Sequence, residues 1–336
     1  RAWASSRDWS AVASAYQAIY RGEGQDFVDR PGIEAHLPPR VPSKPLTMLL
    51  LVNRGCNLRC VFCELWDRPE EMPVERAVLL LDDAAAIGTK TLVITGGEPL
   101  MHRGLFDIVR AARARGMAVN ITTNGTLVER HFDEIVQSGV TSLSFSIDGH
   151  PATHDRLRKQ AGAYRRTWDA LVRTALDGRV DTAVYFVVTN QNVRELVEVH
   201  DAARAAGARF DFWPVNDAED LYLTTPGDKQ VWLDAITELS RRDGEVAAKA
   251  HYYAEALGYH AGETGPVRCL GLVDQYGVTY EGDLLPCCVW GGEGLRVGNV
   301  FQRPLRELWY SREVQAHREQ LWGKGCTVGC YNHSLY

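Results

Sequence analysis

Cys56, Cys60 and Cys63 stand in the run Arg-Gly-Cys-Asn-Leu-Arg-Cys-Val-Phe-Cys, a C-x3-C-x2-C spacing just after the apolar stretch Met48–Val52. Three thiolates within eight residues can bind three irons of a cubane iron–sulfur cluster and leave the fourth iron without a protein ligand. An open iron is a place for chemistry. A structural zinc site takes four protein ligands, usually in two C-x2-C-like pairs, and the asymmetric triplet fits that pattern poorly. Five more cysteines, Cys269, Cys287, Cys288, Cys326 and Cys330, lie in the last third of the chain. Residues 1–45 contain no secretory h-region, and the cysteines are bunched at ligand spacings, so metal binding is the reading rather than a disulfide framework.

The elements that must carry these residues follow from length and patterning. The chain has 336 residues, 45% hydrophobic and 24% charged, enough for a full α/β core and a smaller second unit. A net charge of −6 gives no polyanion-binding signature, so a large nucleic-acid partner is disfavoured. No apolar run approaches the roughly 18 residues of a membrane span. The chain is read as cytoplasmic and oxygen-sensitive.

Strand-like runs occur at Met48–Val52, Thr91–Ile94, Met117–Ile121, Ser142–Ile147, Thr182–Val188 and Arg209–Trp213. Between them lie amphipathic stretches, Glu75–Ile87, Leu105–Arg115, Glu129–Ser138, Tyr164–Asp177 and Val193–Ala206. Six βα units require a parallel sheet with right-handed crossovers. Ligands gather beyond the carboxyl ends of such strands, where the cysteine triplet falls.

Other segments fall at strand ends too. Thr95-Gly96-Gly97-Glu98-Pro99 follows Thr91–Ile94, Thr122-Thr123-Asn124-Gly125 and Ser144-Phe145-Ser146-Ile147-Asp148-Gly149 end further β-like runs, and His154-Asp155 with Arg158 comes next. Taken in this order with the triplet, they resemble the motifs of the radical S-adenosylmethionine (radical SAM) enzymes. The resemblance implies an α/β fold, a partial (β/α)6 barrel, with a [4Fe–4S] cluster on Cys56, Cys60 and Cys63 and SAM beside it. It implies cofactor contacts at Gly96, Gly97, Glu98, Pro99, Thr123 and Asn124, with Glu98 taking the SAM amine. Ser146 and Arg158 are placed at the ribose and carboxylate, with a structural cap or a surface ion pair as the alternative, and Phe62 shields the cluster near the adenine, with ordinary core packing as its alternative.

The C-terminal third adds Cys269-x12-Gly282-x4-Cys287 within a hairpin-like segment Gly277–Cys288, then Gly298-Asn299-Val300, Leu305–Trp309 and Cys326-x3-Cys330. This is similar to the SPASM/Twitch extension of radical SAM enzymes. The short Twitch form, a β-hairpin plus helix, implies one auxiliary [4Fe–4S] cluster on Cys269, Cys287, Cys326 and Cys330, with Cys288 left over. Four thiolates also suit zinc. The expected organisation is a helical cap and Pro-rich connector over 1–45, the barrel over 46–222, a helical bridge over 223–265 and the cluster unit over 266–336.

The resemblance implies reductive cleavage of SAM to a 5′-deoxyadenosyl radical that abstracts a substrate hydrogen, with electrons from an external donor of flavodoxin or ferredoxin type. A fully ligated auxiliary cluster suits electron transfer, so dehydrogenation of a polar small molecule such as a sugar, aminoglycoside or nucleoside is expected. Cys288 as a hydrogen-atom donor would give epimerisation, an outcome that stands beside dehydrogenation, and a packed or alternative-ligand cysteine is the other reading of Cys288. Asp211, Asp217 and Tyr185 lie near strand ends where a base would be needed, although solvated or structural roles compete. Modification of a peptide ranks second, because residues 1–45 are short for the leader-recognition domain that peptide-modifying members often carry. A non-enzymatic iron–sulfur electron carrier is the reading of another class, and the SAM-type segments count against it.

Overall fold

The structure is a computed structural model that describes residues 45–216, 218–250, 253, 271–286 and 296–324. The expected N-terminal cap, most of the second half of the bridge, Asp217, and Cys269, Cys287, Cys288, Cys326 and Cys330 lie outside the described residues.

Six parallel strands form the frame: β1 (Thr47–Asn53), β2 (Thr91–Gly96), β3 (Ala118–Thr123), β4 (Ser142–Ser146), β5 (Asp181–Val188) and β6 (Arg209–Pro214). The crossovers are helical: α1 (Val74–Ile87), α2 (Leu105–Ala114), α3 (Val128–Ser138), α4 (Pro151–Leu157), α5 (Ala163–Asp177) and α6 (Leu196–Ala205). The α/β expectation holds, and each of the six expected strands is present with its ends moved by a residue or two. The helix α4 was not anticipated. Its sequence is short and starts on Pro151, so it shows too little periodicity to read.

The strands alternate as a half-open sheet requires. Leu92, Ile94, Val119, Ile121, Leu143, Phe145, Val184, Phe186, Phe210 and Phe212 are buried, and they form one core with the inner stripes of the helices, such as Ala77, Leu80, Leu81, Ala84 and Ile87 of α1. Each large apolar side chain buried there contributes about 1.5–3 kcal/mol. The intervening positions Thr95, Asn120, Thr122, Ser146, Tyr185, Asp211 and Trp213 are only half-buried, so the other face is polar and open. That polar face carries the site.

The sheet does not stop at β1. The strands β7 (Gln275–Val278), β8 (Asp283–Leu285) and β9 (Gly298–Asn299) extend it, giving the order β6-β5-β4-β3-β2-β1-β7-β8-β9. β7 runs parallel to β1 and antiparallel to β8, so the expected hairpin exists but is welded onto the barrel sheet. Its buried Tyr276 exchanges a hydrogen bond of 3.0 Å with Thr89, just before β2. Residues Pro226–Ser240 form α7 in the expected bridge, residues 244–250 are helical, and α8 (Leu305–Trp309) and α9 (Arg312–Lys324) follow β9. Among the described residues no helix is long and apolar enough to cross a membrane.

Candidate active site

The cysteine loop begins where β1 ends, and the Gly-Gly-Glu segment at the end of β2 holds its first residues. The Gly97 N–H donates to the Asn53 carbonyl (3.0 Å), the Glu98 N–H to the Gly55 carbonyl (2.9 Å), and Asn53 Nδ2 to the Glu98 carbonyl (2.8 Å). The two backbones touch so closely that side chains cannot fit between them. A Cβ on Gly97 would stand 2.2 Å from the Gly55 carbonyl oxygen, and one on Gly96, at φ +146°, would stand 2.5 Å from the Asn53 carbonyl oxygen. The glycines are there for close approach.

Glu98 then ties this junction to β3. Its Oε1 accepts from Thr123 Oγ1 (2.7 Å) and the Leu100 N–H (3.1 Å), and its Oε2 from the Asn124 N–H (2.8 Å). The side chain has no exposed surface. Burial pushes its carboxyl up from the usual carboxylate range, while the Asn124 N–H, the Thr123 hydroxyl, the Leu100 N–H and the Arg158 charge pull it down. This differs from a carboxylate offered to a ligand, because a fully buried group already holding three donors acts inside the protein. Pro99, buried beside it, opens a single 3-10 turn capped by that same carboxylate. The exposed surface of the segment belongs to Thr95, Gly96 and Gly97.

Asn124 passes the connection on to the cysteine loop. Its Nδ2 donates to Asn57 Oδ1 (2.8 Å) and lies 3.8 Å from Cys56 Sγ, and Asn57 Nδ2 donates to Thr126 Oγ1 (2.8 Å). The loop also braces itself: Arg59 donates to the carbonyls of Cys56 (3.2 Å) and Trp66 (3.3 Å), and its guanidinium sits 4.4 Å from the Trp66 ring centroid.

Cys56, Cys60 and Cys63 are free and half-buried. The Leu58 and Leu65 N–H groups each point at a thiol sulfur, of Cys56 and Cys63 respectively, at 3.4 Å. Burial pushes the Cys56 thiol up to about 11, with the Glu98, Cys60 and Cys63 charges adding and the Leu58 N–H opposing. Metal binding here must therefore expel protons. Among the described residues no three Cys, His, Asp or Glu side chains are disposed around a single metal ion. Three thiols suit a cluster, with one sulfur on each of three irons, whereas a structural zinc takes four protein ligands.

The third tie comes from the end of β4. Asp148, fully buried, accepts from the Val187 N–H of β5 (2.8 Å) and, through Oδ2, from Arg158 Nε (2.6 Å) and Nη2 (2.5 Å). Arg158 caps α4, and its remaining Nη1 lies 3.8 Å from Cys60 Sγ, with the guanidinium 5.3 Å from the Phe62 ring centroid. The Val61 N–H donates to the Leu157 carbonyl (2.9 Å), so the cysteine loop is sewn to the end of α4. His154 Nδ1 accepts from the Asp148 N–H (3.2 Å), and Asp155 accepts from the Gly162 and Tyr164 N–H groups (2.6 and 2.8 Å). Arg158 is thus an ion pair of the interior rather than of the surface. Ser146 is half-exposed at the end of β4.

The structure brings together Cys56, Cys60, Cys63, Phe62, Gly96, Gly97, Glu98, Thr123, Asn124 and Arg158. On the same polar face Asp211 is engaged within the protein, accepting from Lys249 Nζ (2.7 Å) and the Tyr253 hydroxyl (2.8 Å), and Tyr185 packs edge-on against Trp213 at 5.0 Å. Sequence reasoning missed Asn53, Asn57 and Asp148 as site residues. Asp148 was within a quoted motif, but nothing in spacing showed that it would grip Arg158.

Comparisons with known proteins agree with this geometry. The family model of the radical SAM superfamily matches residues 50–203, and that of SPASM, an iron–sulfur cluster-binding domain, matches residues 269–331, a span that starts at Cys269 and includes Cys330. The chain is 29% identical over 295 residues to the AdoMet-dependent heme synthase of Methanosarcina barkeri (strain Fusaro), covering 78% of this chain and 81% of that protein. It is 28% identical over 315 residues to the PqqA peptide cyclase of Rhizobium meliloti (strain 1021), covering 88% of this chain and 82% of that protein. Its fold is similar to that of Streptococcus suis SuiB bound to S-adenosylmethionine, with a TM-score of 0.64 at 19% identity, over 82% of this chain and 68% of that one. Three thiols at the end of the first strand, a glycine-built junction at the second and a cysteine-rich C-terminal extension have one family in common: the chain belongs to the radical SAM superfamily, carries a C-terminal SPASM extension, and works with SAM and [4Fe–4S] clusters.

Proposed function

We propose that this radical SAM enzyme modifies a peptide. The observation that carries this reading is the likeness to a peptide cyclase, which spans both the barrel and the cysteine-rich extension rather than the barrel alone. A shorter likeness, to the sporulation killing factor maturation protein SkfB of Bacillus subtilis, points the same way. Epimerisation or dehydrogenation of a sugar, aminoglycoside or nucleoside rests on the motif resemblance by itself, and the relatives carry other names. A tetrapyrrole substrate is the second reading, favoured by the heme synthase likeness, which is of similar identity and extent.

In this reading Cys56, Cys60 and Cys63 hold the first cluster, and Cys269, Cys287, Cys326 and Cys330 the C-terminal one, with Cys288 outside both sets. Thr95, Gly96 and Gly97 meet the SAM amine, and Glu98 fixes their position from behind. Thr123 and Asn124 anchor the loop, Ser146 faces the ribose, and Phe62 covers the cluster side. Bound there, the cluster and SAM would supply one-electron radical chemistry able to take a hydrogen atom from a substrate, with the electron delivered by an external carrier of flavodoxin or ferredoxin type. The protein's own contribution is positional. The strand-end ties fix the cysteine loop beside the polar, half-buried face that carries Asn120, Thr122, Tyr185 and Trp213.

The test is turnover by the anaerobically reconstituted enzyme with SAM and dithionite. A short precursor peptide encoded beside the enzyme, an iron coproporphyrin and an aminosugar are supplied separately. Formation of 5′-deoxyadenosine together with a mass change in the peptide is the expected result. Turnover of the tetrapyrrole or the sugar with the peptide untouched overturns the proposal.

A further inference from the structure

Arg158 is a full positive charge inside the protein, and only one of its ends is neutralised. Its Nε and Nη2 are taken by Asp148, while Nη1 points at Cys60 Sγ from 3.8 Å. Both members of the pair are buried, at 7% and 0% exposure, so water does little to screen them. Asp148 is itself immobilised. Its Oδ1 is bound by the Val187 N–H, its backbone N–H by His154 Nδ1, and its carbonyl by Asn192 Nδ2 (3.1 Å). The Val61–Leu157 backbone bond keeps the cysteine loop against the same helix end, so the guanidinium and the sulfur cannot drift apart independently. Burial pushes the Cys60 thiol up, and the Arg158 charge is the main influence pulling it down.

We propose that Arg158, held in place by Asp148, donates to the Cys60 thiolate and raises the reduction potential of the first cluster. The inference rests on the reading that Cys60 is a ligand of that cluster. Its physical basis is that reduction adds one electron and no proton to a buried anionic centre, which a fixed positive charge at a ligand sulfur favours. At that distance, with an effective interior dielectric of about 20, a unit charge shifts a one-electron equilibrium by well over tenfold, and the Asp148 charge behind it offsets part of that. Asp148 is a positioning residue in this arrangement. It has an opposite electrostatic sign, and so the two residues are separable by experiment.

The test is an EPR-monitored potentiometric titration of the anaerobically reconstituted holoenzyme without SAM, with the first cluster identified as the one whose signal changes when SAM is then added. Arg158→Gln is expected to lower the reduced-to-oxidised ratio of that cluster at fixed poise by about tenfold or more, a downward shift of about 59 mV per tenfold for one electron. Asp148→Asn, which leaves the guanidinium without its counter-charge, is expected to shift the midpoint upward. The C-terminal cluster should not move in either variant. A first-cluster midpoint unchanged in an iron-replete Arg158→Gln protein overturns the proposal, as does loss of SAM affinity with no change in midpoint. If Arg158→Gln does not fold, Asp148→Asn decides, and an unchanged or lowered midpoint overturns the proposal. Iron content separates this failure from failure of the underlying reading: Cys60→Ala protein that kept all its iron would show that Cys60 is no ligand, whereas iron loss there with unmoved midpoints sinks only the role of Arg158.

Discussion

Changing Glu98 to Gln replaces one carboxylate oxygen by an NH2 group and leaves size and shape nearly intact. The buried carboxylate receives three donors, from Leu100, Thr123 and Asn124, at 3.1, 2.7 and 2.8 Å. If the amide oxygen takes the place of Oε1, the NH2 faces the Asn124 N–H; in the other orientation it faces the Leu100 N–H and the Thr123 hydroxyl. Either way a buried backbone N–H loses its acceptor, which costs about 1–3 kcal/mol, and the surviving bonds lose their charge assistance. The neutral amide recovers part of the cost of burying a carboxylate, leaving a net destabilisation of about 2 kcal/mol. The assay is urea unfolding of the metal-free protein followed by tryptophan fluorescence, with iron per chain after reconstitution as the second readout. The urea midpoint should fall and first-cluster iron should drop, because Asn124 is the bridge from Glu98 to Cys56. An unchanged midpoint with full iron refutes the reasoning. It would mean that Glu98 is protonated in the folded protein, so that an amide mimics it without penalty.

Other expectations follow from the same geometry. Gly97→Ala sets a methyl group against the Gly55 and Arg54 carbonyl oxygens, and neither backbone can yield without moving Cys56; reconstituted protein should lose about half its iron while keeping its circular dichroism spectrum. Replacing Cys56, Cys60 and Cys63 together by Ala should reduce about eight irons per chain to about four, and retention of eight would remove the triplet from the cluster. His154 is pushed down to about 3 by burial, with Arg158 adding to the effect, so the folded state resists a proton that the unfolded chain binds near 6.5. Its contribution to stability is present above about pH 6.5 and is lost as pH falls toward 3, the loss having reached about 2 kcal/mol by pH 5. In His154→Asn, whose oxygen can still accept from the Asp148 N–H, that part of the acid-side slope should vanish; an identical pH profile would contradict the assignment.

Much of the architecture is legible in the chain alone, and the reason is periodicity. Alternation along Leu92–Ile94 and Val119–Ile121, and the three-to-four spacing of Ala77, Leu80, Leu81 and Ala84, are local signals that burial turns directly into strands and helices. The cysteine triplet is equally local, since its spacing sets which atoms a cluster can reach. What spacing cannot express is which strand ends meet. The sequence places Glu98, Thr123 and Asn124 in two separate motifs, but only the register of β2 beside β3 makes one carboxylate the acceptor for both. Glu98 reads as a ligand-facing carboxylate in sequence and is an internal brace in space, because exposure is a property of packing. Arg158 reads as a SAM contact, and only the close approach of α4 to the cysteine loop sets its guanidinium between Asp148 and Cys60. The joining of β7 to β1 is a long-range pairing that no local pattern encodes, so the C-terminal hairpin could be foreseen but not its place in the barrel sheet. Short-range periodicity and ligand spacing were thus written in the residues themselves, while the charges around the cysteines and the continuity of the sheet arose from contacts between segments far apart in the chain.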